Sequence, residues 1–188
     1  MQPTQKDKEA AMIINEVLGI QTIKDPKIRI TTRQAVRAIV IKDNKILMVH
    51  TNKGDYKFPG GGIKKSETHE DALRREVTEE TGYIVDQMKD KAGVIIQRNP
   101  NQFDVNGIFQ MTSHYYYCDV KQNKTKQHLD KYEQEQEFAP IWIELDEVIA
   151  KNEAILTQKG TQINPWVYRE TLALRSIKEA RLMESKYR

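Results

Sequence analysis

Residues 61–83, GGIKKSETHEDALRREVTEETGY, decide how the whole chain is read. Lys64, Lys65 and Ser66 lead off the turn Gly60-Gly61-Gly62, and Thr68 with Asp71 three residues on has capping-box spacing. The pattern predicts a helix from about His69 to Thr81, stopped by Gly82 in the left-handed conformation. At about 100° per residue, Glu76, Glu79 and Glu80 fall within one third of the helix circumference. Leu73 and Val77 lie beside that arc as a narrow seam to bury. Arg75 stands one turn before Glu79, at a spacing where its guanidinium can hold that carboxylate in place.

Glu76 and Glu80 form a like-charge pair four residues apart, which costs an isolated helix a few tenths of a kcal/mol. Three carboxylates on one arc suit a hard divalent cation, which takes oxygen ligands and brings compensating charge. Mg²⁺ keeps several waters and shares its other positions with phosphate oxygens, so the pattern points to a diphosphate substrate. A bare E-x-x-E-E is ordinarily a solvated acidic face. Two glycines, Glu67 and Arg75 in fixed register argue against that here.

In full, the register is a glycine (Gly61), five residues, Glu67, seven residues, then Arg75-Glu76-Val77-Thr78-Glu79-Glu80-Thr81-Gly82-Tyr83. It resembles the signature of the Nudix hydrolases, G-x5-E-x7-R-E-U-x-E-E-x-G-U with U a bulky apolar residue, with Tyr83 where an aliphatic residue is commoner. The chance of such a match in a chain of this length is on the order of 10⁻⁸ to 10⁻⁷. Phe58-Pro59-Gly60-Gly61 is also a common entry to that signature. The resemblance covers roughly residues 33–175 and implies an α/β fold, a mixed β-sheet sandwiched between helices.

The activity that the resemblance implies is hydrolysis of the diphosphate linkage in a nucleoside diphosphate derivative. One or more Mg²⁺ (or Mn²⁺) ions would sit on Glu76, Glu79 and Glu80, with Glu67 assisting and Arg75 as partner to the carboxylates. The general base comes from the box in some members and from a loop before the last strand in others. Glu133, Glu135 and Glu137 occupy that region here, Glu137 being taken as the catalytic candidate. Arg37, Lys53, Lys57 and Arg98 are candidate phosphate donors on charge alone, and Gly60 and Gly61 let backbone amides approach an anion. Nucleotide sugars, ADP-ribose, dinucleoside polyphosphates and oxidised or modified nucleoside triphosphates are all substrates in the family. Pro100, a little past the box, lies where ADP-ribose-cleaving members tend to carry a proline, although a turn after Asn99 explains it equally. Two alternatives stand beside this reading: an RNA-end pyrophosphohydrolase, and a nucleotide-binding regulator that no longer catalyses. No box residue is broken, which counts against the second.

Outside the box, 188 residues with a net charge of +3 and 30% charged residues describe one domain with a modest core. The charge is mixed rather than clustered, unlike the basic face of a nucleic-acid binder. No apolar run reaches the roughly 20 residues of a membrane helix, and MQPTQKDKEAAM lacks a signal-peptide core. Cys118 is the only cysteine, which suits a reducing compartment, so the expected location is cytoplasmic. The four histidines show no zinc spacing.

Residues 7–18 read as an amphipathic helix stopped by Gly19, with Ala10, Ile13, Ile14, Val17 and Leu18 on its apolar side. It would pack on the domain or join a homodimer. Residues 1–30 are thus expected to be a helical extension and linker, and 31–188 the hydrolase domain. Val36 to Ile41 and Ile46 to Val49 read as strands joined by a tight turn at Asp43-Asn44, and Tyr56 to Phe58 as a short extended piece. Further strands are expected at Ile84-Val85, at Ala92 to Arg98 with a break at Asn99-Pro100, at Phe109 to Val120 and at Phe138 to Leu145. The stripe Phe109, Met111, Ser113, Tyr115 and Tyr117 reads as core or sheet surface before it reads as a base-stacking platform. Lys121 to Gln136 reads as a long polar loop, Asp146 as the cap of a short helix to Ala150, and Asn164-Pro165 as the start of a last helix.

Overall fold

The apolar side chains of residues 36, 38 and 39 divide between two different cores, and that alternation sets up the layers. In the computed structural model, which describes residues 12–158 and 162–186, β2 (Arg29–Ile39) sends Val36 and Ala38 into a cluster with Leu47, Leu73 and Val77. Ile39 enters a second cluster with Met48, Phe58, Leu174 and Ile177. Period-two patterning on a strand buried on both faces requires this division.

One sheet runs in the order β1 (Ile14–Gly19), β6 (Tyr83–Pro100), β7 (Gly107–Lys124) and β2. β1 is parallel to β6 and β2 to β7, while β6 and β7 form an antiparallel hairpin. In the second sheet, β4 (Lys45–His50) pairs antiparallel with β3 (Ile41–Lys42), β5 (Tyr56–Lys57) and β8 (Ala139–Glu144). Asp43 (φ 48°) and Asn44 (φ 61°) make the left-handed turn between β3 and β4 that the Asp-Asn pair suggested.

The helix α1 (His69–Thr81) closes the first core with Ala72, Leu73 and Val77, each fully buried. Burying a Leu or Val side chain of this kind contributes roughly 1.5–3 kcal/mol. Its start is the expected capping box: Asp71 N–H donates to Thr68 Oγ1 at 3.1 Å, and Thr68 N–H to Asp71 Oδ2 at 3.3 Å. Gly82, at φ 73°, donates its N–H to Thr78 O and ends the helix. The short α2 (Lys131–Glu135) precedes β8, and α3 (Leu145–Leu156) and α4 (Val167–Lys186) fill the second core through Val148, Ile149, Ala173, Leu174 and Ile177. The architecture is an α/β sandwich.

The helix expected over 7–18 is corrected: residues 14–19 are strand, and residues 7–11 lie outside the described residues. Ile14 and Val17 are β-branched and pair along Gly93–Arg98 of β6, with Ile14 fully buried. The two strands expected around Ile84-Val85 and Ala92 to Arg98 are one long β6 that bends through register shifts and runs through Pro100. Bulges absorb residues that a strict alternation would reject. The expected long loop keeps strand pairing to Lys124 and folds residues 131–135 into α2. The helix expected from Asp146 to Ala150 begins at Leu145, directly after β8, and continues to Leu156 because Val148, Ile149 and Ile155 keep one buried face. Asn164 accepts the N–H of Val167 at its backbone oxygen, while its side chain turns away to Asp55 and Lys53.

Candidate active site

The acidic arc of α1 faces a cleft of about 880 Å³ whose other walls come from β2, the glycine turn, α2 and the start of α4. Glu76, Glu79 and Glu80 all line it, as do Arg37, Lys57, Gly60 and Gly61. Glu80 is 1% exposed; its carboxylate pairs with Lys57 Nζ and accepts the Gly60 N–H at 2.9 Å. Burial raises the Glu80 carboxyl above the usual carboxylate range, and Lys57 opposes that rise.

Arg75 organises the outer half of the arc. Its Nε and Nη2 form a two-point contact with Glu67 at 2.6 and 2.8 Å, while Nη1 donates to Glu76 Oε1 at 2.6 Å and Glu79 Oε2 at 3.1 Å. Glu67 also accepts the Lys64 N–H at 2.8 Å. Hydrogen bonds from Arg75 hold the Glu67 carboxyl down to about 2, and the Glu67 bond raises Arg75 in turn. Glu67 does not line the cleft. Its position is that of a brace for Arg75.

Across the cleft, α2 brings Glu133 to the arc. One carboxylate oxygen each from Glu76, Glu80 and Glu133 lie within 4.8 Å of one another. Glu133 is also the third residue of a capping box: its N–H donates to Asp130 Oδ1 at 2.8 Å, and its Oε2 accepts the Asp130 N–H at 2.9 Å. Burial raises the Glu133 carboxyl, the Asp130 amide lowers it, and the Glu80 charge adds to the rise. An all-carboxylate set at this spacing fits a hard divalent cation. The residues present therefore suit such an ion.

Other sequence candidates are placed elsewhere. Glu137 is exposed at φ 54° and outside the cleft lining, and Glu135 is exposed, its backbone oxygen accepting from Asn52. Arg98 bonds Gln110 Oε1 at 2.8 Å and Gln21 O at 3.2 Å, with Gln97 and Asn99 rather than Arg98 on the cleft wall. Lys53 bonds Asn164 Oδ1 at 2.9 Å, also outside. In the stripe on β7, Ser113 and Tyr115 are buried, whereas Phe109 and Met111 line the cleft.

Sequence reasoning did not single out Arg169, Trp166 or Tyr132, which all line the cleft. Trp166 is fixed by its indole N–H on Asp55 Oδ2 at 2.6 Å, and its ring stands nearly perpendicular to Tyr132 and Phe138. A signal for Glu133 was present: Asp130-x-x-Glu133 is a capping-box spacing that predicts a helix turn and a fixed carboxylate. Nothing local in the sequence marks Arg169.

Fold and site together define an α/β protein whose glutamate-bearing helix faces a basic cleft. The NUDIX domain family model matches residues 31–166, and the chain belongs to that family, the Nudix hydrolases. The chain is 34% identical over 100 residues to an ADP-ribose pyrophosphatase of Methanocaldococcus jannaschii; the match covers 50% of this chain and 59% of that relative's length. Among solved structures, a NUDIX hydrolase from Nitrosomonas europaea superposes with a TM-score of 0.54 at 20% identity, covering 79% of this chain and 90% of the other. A MutT NUDIX hydrolase from Burkholderia pseudomallei gives 0.51 at 17% identity, covering 77% and 98%. At these identities the two structures speak for the fold. No helix among the described residues is long and apolar enough to cross a membrane.

Proposed function

We propose that the protein is a divalent-metal-dependent pyrophosphohydrolase cleaving the diphosphate linkage of a nucleoside diphosphate derivative. The observation that carries this reading is the meeting of Glu76, Glu80 and Glu133 oxygens within 4.8 Å beside Lys57 and Arg37. Glu76 and Glu80, with Glu79 next to them, would hold the ion, Mg²⁺ or Mn²⁺, and Glu133 would face it across the cleft. When bound, such an ion neutralises phosphate charge and makes water a better nucleophile.

The chain's own residues supply the rest. Lys57 Nζ lies 3.3 Å from the Gly60 carbonyl on the cleft wall, so its charge stands where the scissile diphosphate can enter. Arg75 keeps Glu76 and Glu79 from splaying apart, which preserves the geometry before substrate arrives. Glu133 serves as the base: its carboxylate accepts the water proton as the water oxygen bonds to phosphorus and the bridging P–O bond breaks. Glu133 is preferred to Glu137, the candidate expected from sequence, because Glu133 lines the cleft and Glu137 does not.

The archaeal relative makes ADP-ribose the first compound to test. A panel of ADP-ribose, nucleotide sugars and modified nucleoside triphosphates should show Mg²⁺-dependent nucleotide release, abolished by excess chelator and restored by Mg²⁺ or Mn²⁺. Full turnover in chelator would remove the proposal.

A further inference from the structure

The innermost wall of the cleft holds a buried guanidinium that the protein pairs only incompletely. Arg37 on β2 is 7% exposed and Arg169 on α4 is 5% exposed, and both line the cleft. They share one carboxylate, Glu170, which is fully buried. Arg169 Nε and Nη2 both donate to Glu170 Oε1, at 3.0 and 2.6 Å, and Glu170 Oε2 accepts the Phe58 N–H at 3.1 Å. Arg37 is left with a 3.9 Å approach from Nε to Glu170 Oε1, too long for a hydrogen bond. Its Nε is buried with no hydrogen-bond partner among the described residues. The neighbouring cation Lys57 is matched by Glu80. Lys57 and Arg169 are thus each paired with a buried carboxylate, and of these three buried cations Arg37 alone keeps an N–H without a hydrogen-bond partner among the described residues.

A buried charge without a partner is costly, and a guanidinium cannot shed its proton to escape. Burial, then the repulsion of Arg169, lowers the pKa of Arg37, although its charge remains at any working pH. The usual remedy is an anion from outside, and planar guanidiniums suit phosphate oxygens. The scissile diphosphate would be met by Lys57 and by a cation held on the glutamates, which leaves Arg37, with Arg169 beside it on the cleft wall, for another group.

Resting on the function proposed above, we infer that Arg37 and Arg169 form a second anion subsite that receives a phosphate of the substrate other than the two flanking the scissile bond. The favoured substrates are then nucleoside polyphosphates with an anionic distal group, ahead of diphosphates joined to a neutral sugar.

ATP and ADP-glucose share the ADP portion and differ in that distal group, so they form the test pair. The wild-type enzyme with Mg²⁺ should give a kcat/KM at least about tenfold higher for ATP, the range expected of a charge-assisted contact. Arg169→Met should bring that ratio close to one, with folding checked by circular dichroism and a thermal melt. Equal wild-type values, or an unchanged ratio in folded Arg169→Met, would overturn the subsite. If Arg169→Met fails to fold, competition on the wild-type chain decides: inorganic phosphate should displace ATP and leave bound ADP in place. Displacement of both or of neither would sink the idea. If neither ATP nor ADP-glucose is cleaved, the same competition in excess chelator still judges the subsite, separately from the proposed hydrolysis.

Discussion

Glu79 and Glu80 are adjacent in the sequence and alike in charge, yet the fold places them under different physics. The Glu79 side chain is 36% exposed, whereas that of Glu80 is 2% exposed and paired with buried Lys57. Glu79→Gln should lower turnover about tenfold or more while leaving stability within about 0.5 kcal/mol, as surface substitutions usually do. Glu80→Gln should lower turnover and also destabilise by about 3–5 kcal/mol, because it strands a buried ammonium. Activity and urea melts on the two variants check both halves; equal melts would mean that Lys57 and Glu80 are not a buried pair. Adjacent glycines divide in the same way. A Cβ on Gly60 would sit 2.1 Å from Val36 O at a φ of 137°, a backbone clash, whereas one on Gly61 would meet the Glu76 carboxylate at 2.2 Å. Gly61→Ala should therefore reduce activity by displacing Glu76, with less loss of stability than Gly60→Ala. The box glutamates could be read from sequence because a single helix carries them. Glu133 could not be ranked above Glu135 and Glu137, since its place depends on how α2 docks across the cleft.

At the scale of elements, what sequence showed well was local: the capping box of α1, the Gly82 stop and the Asp43-Asn44 turn are all short-range hydrogen-bond patterns. What it misjudged was tertiary. Ile14, Val17 and Leu18 satisfy a helical period, but pairing along β6 outweighs it. In α2 the two levels meet, because five residues make no stable helix alone and its cap is made by Asp130 with Glu133 itself. Asp130→Ala should remove that cap, costing about 0.5–2 kcal/mol locally, and should misplace Glu133. The expected result is a fall in kcat similar in direction to that of Glu133→Gln, while Glu137→Gln retains wild-type kcat. A loss of activity in Glu137→Gln equal to that in Glu133→Gln would return the base to the position that sequence alone favoured.

For the molecule as a whole, acid sensitivity follows from a histidine pair on the α1 side of the first sheet. His114 on β7 stacks against His69 at the start of α1, with ring centroids 4.5 Å apart. His114 Nε2 lies 2.5 Å from Gln34 Oε1, and its Nδ1 is buried without a hydrogen-bond partner among the described residues. Burial, then Lys91 and His69, lowers the His114 pKa from 6.5 to about 4. A base with a depressed folded pKa is uncharged in the native state, while the unfolded chain takes up a proton near 6.5. The unfolded state then binds more protons between about pH 6.5 and 4, so stability falls as pH drops through that window. Glu67 acts in a lower window, from its ordinary 4.5 down to about 2, so the two contributions separate. His114→Gln removes the titrating ring and can still hydrogen-bond Gln34. Urea midpoints measured at pH 7.5 and pH 5 should fall more steeply with acid in the wild type than in His114→Gln. The same fall in both proteins would mean that His114 is free to protonate in the native state, and that the packing of His69 against it is looser than its buried Nδ1 indicates.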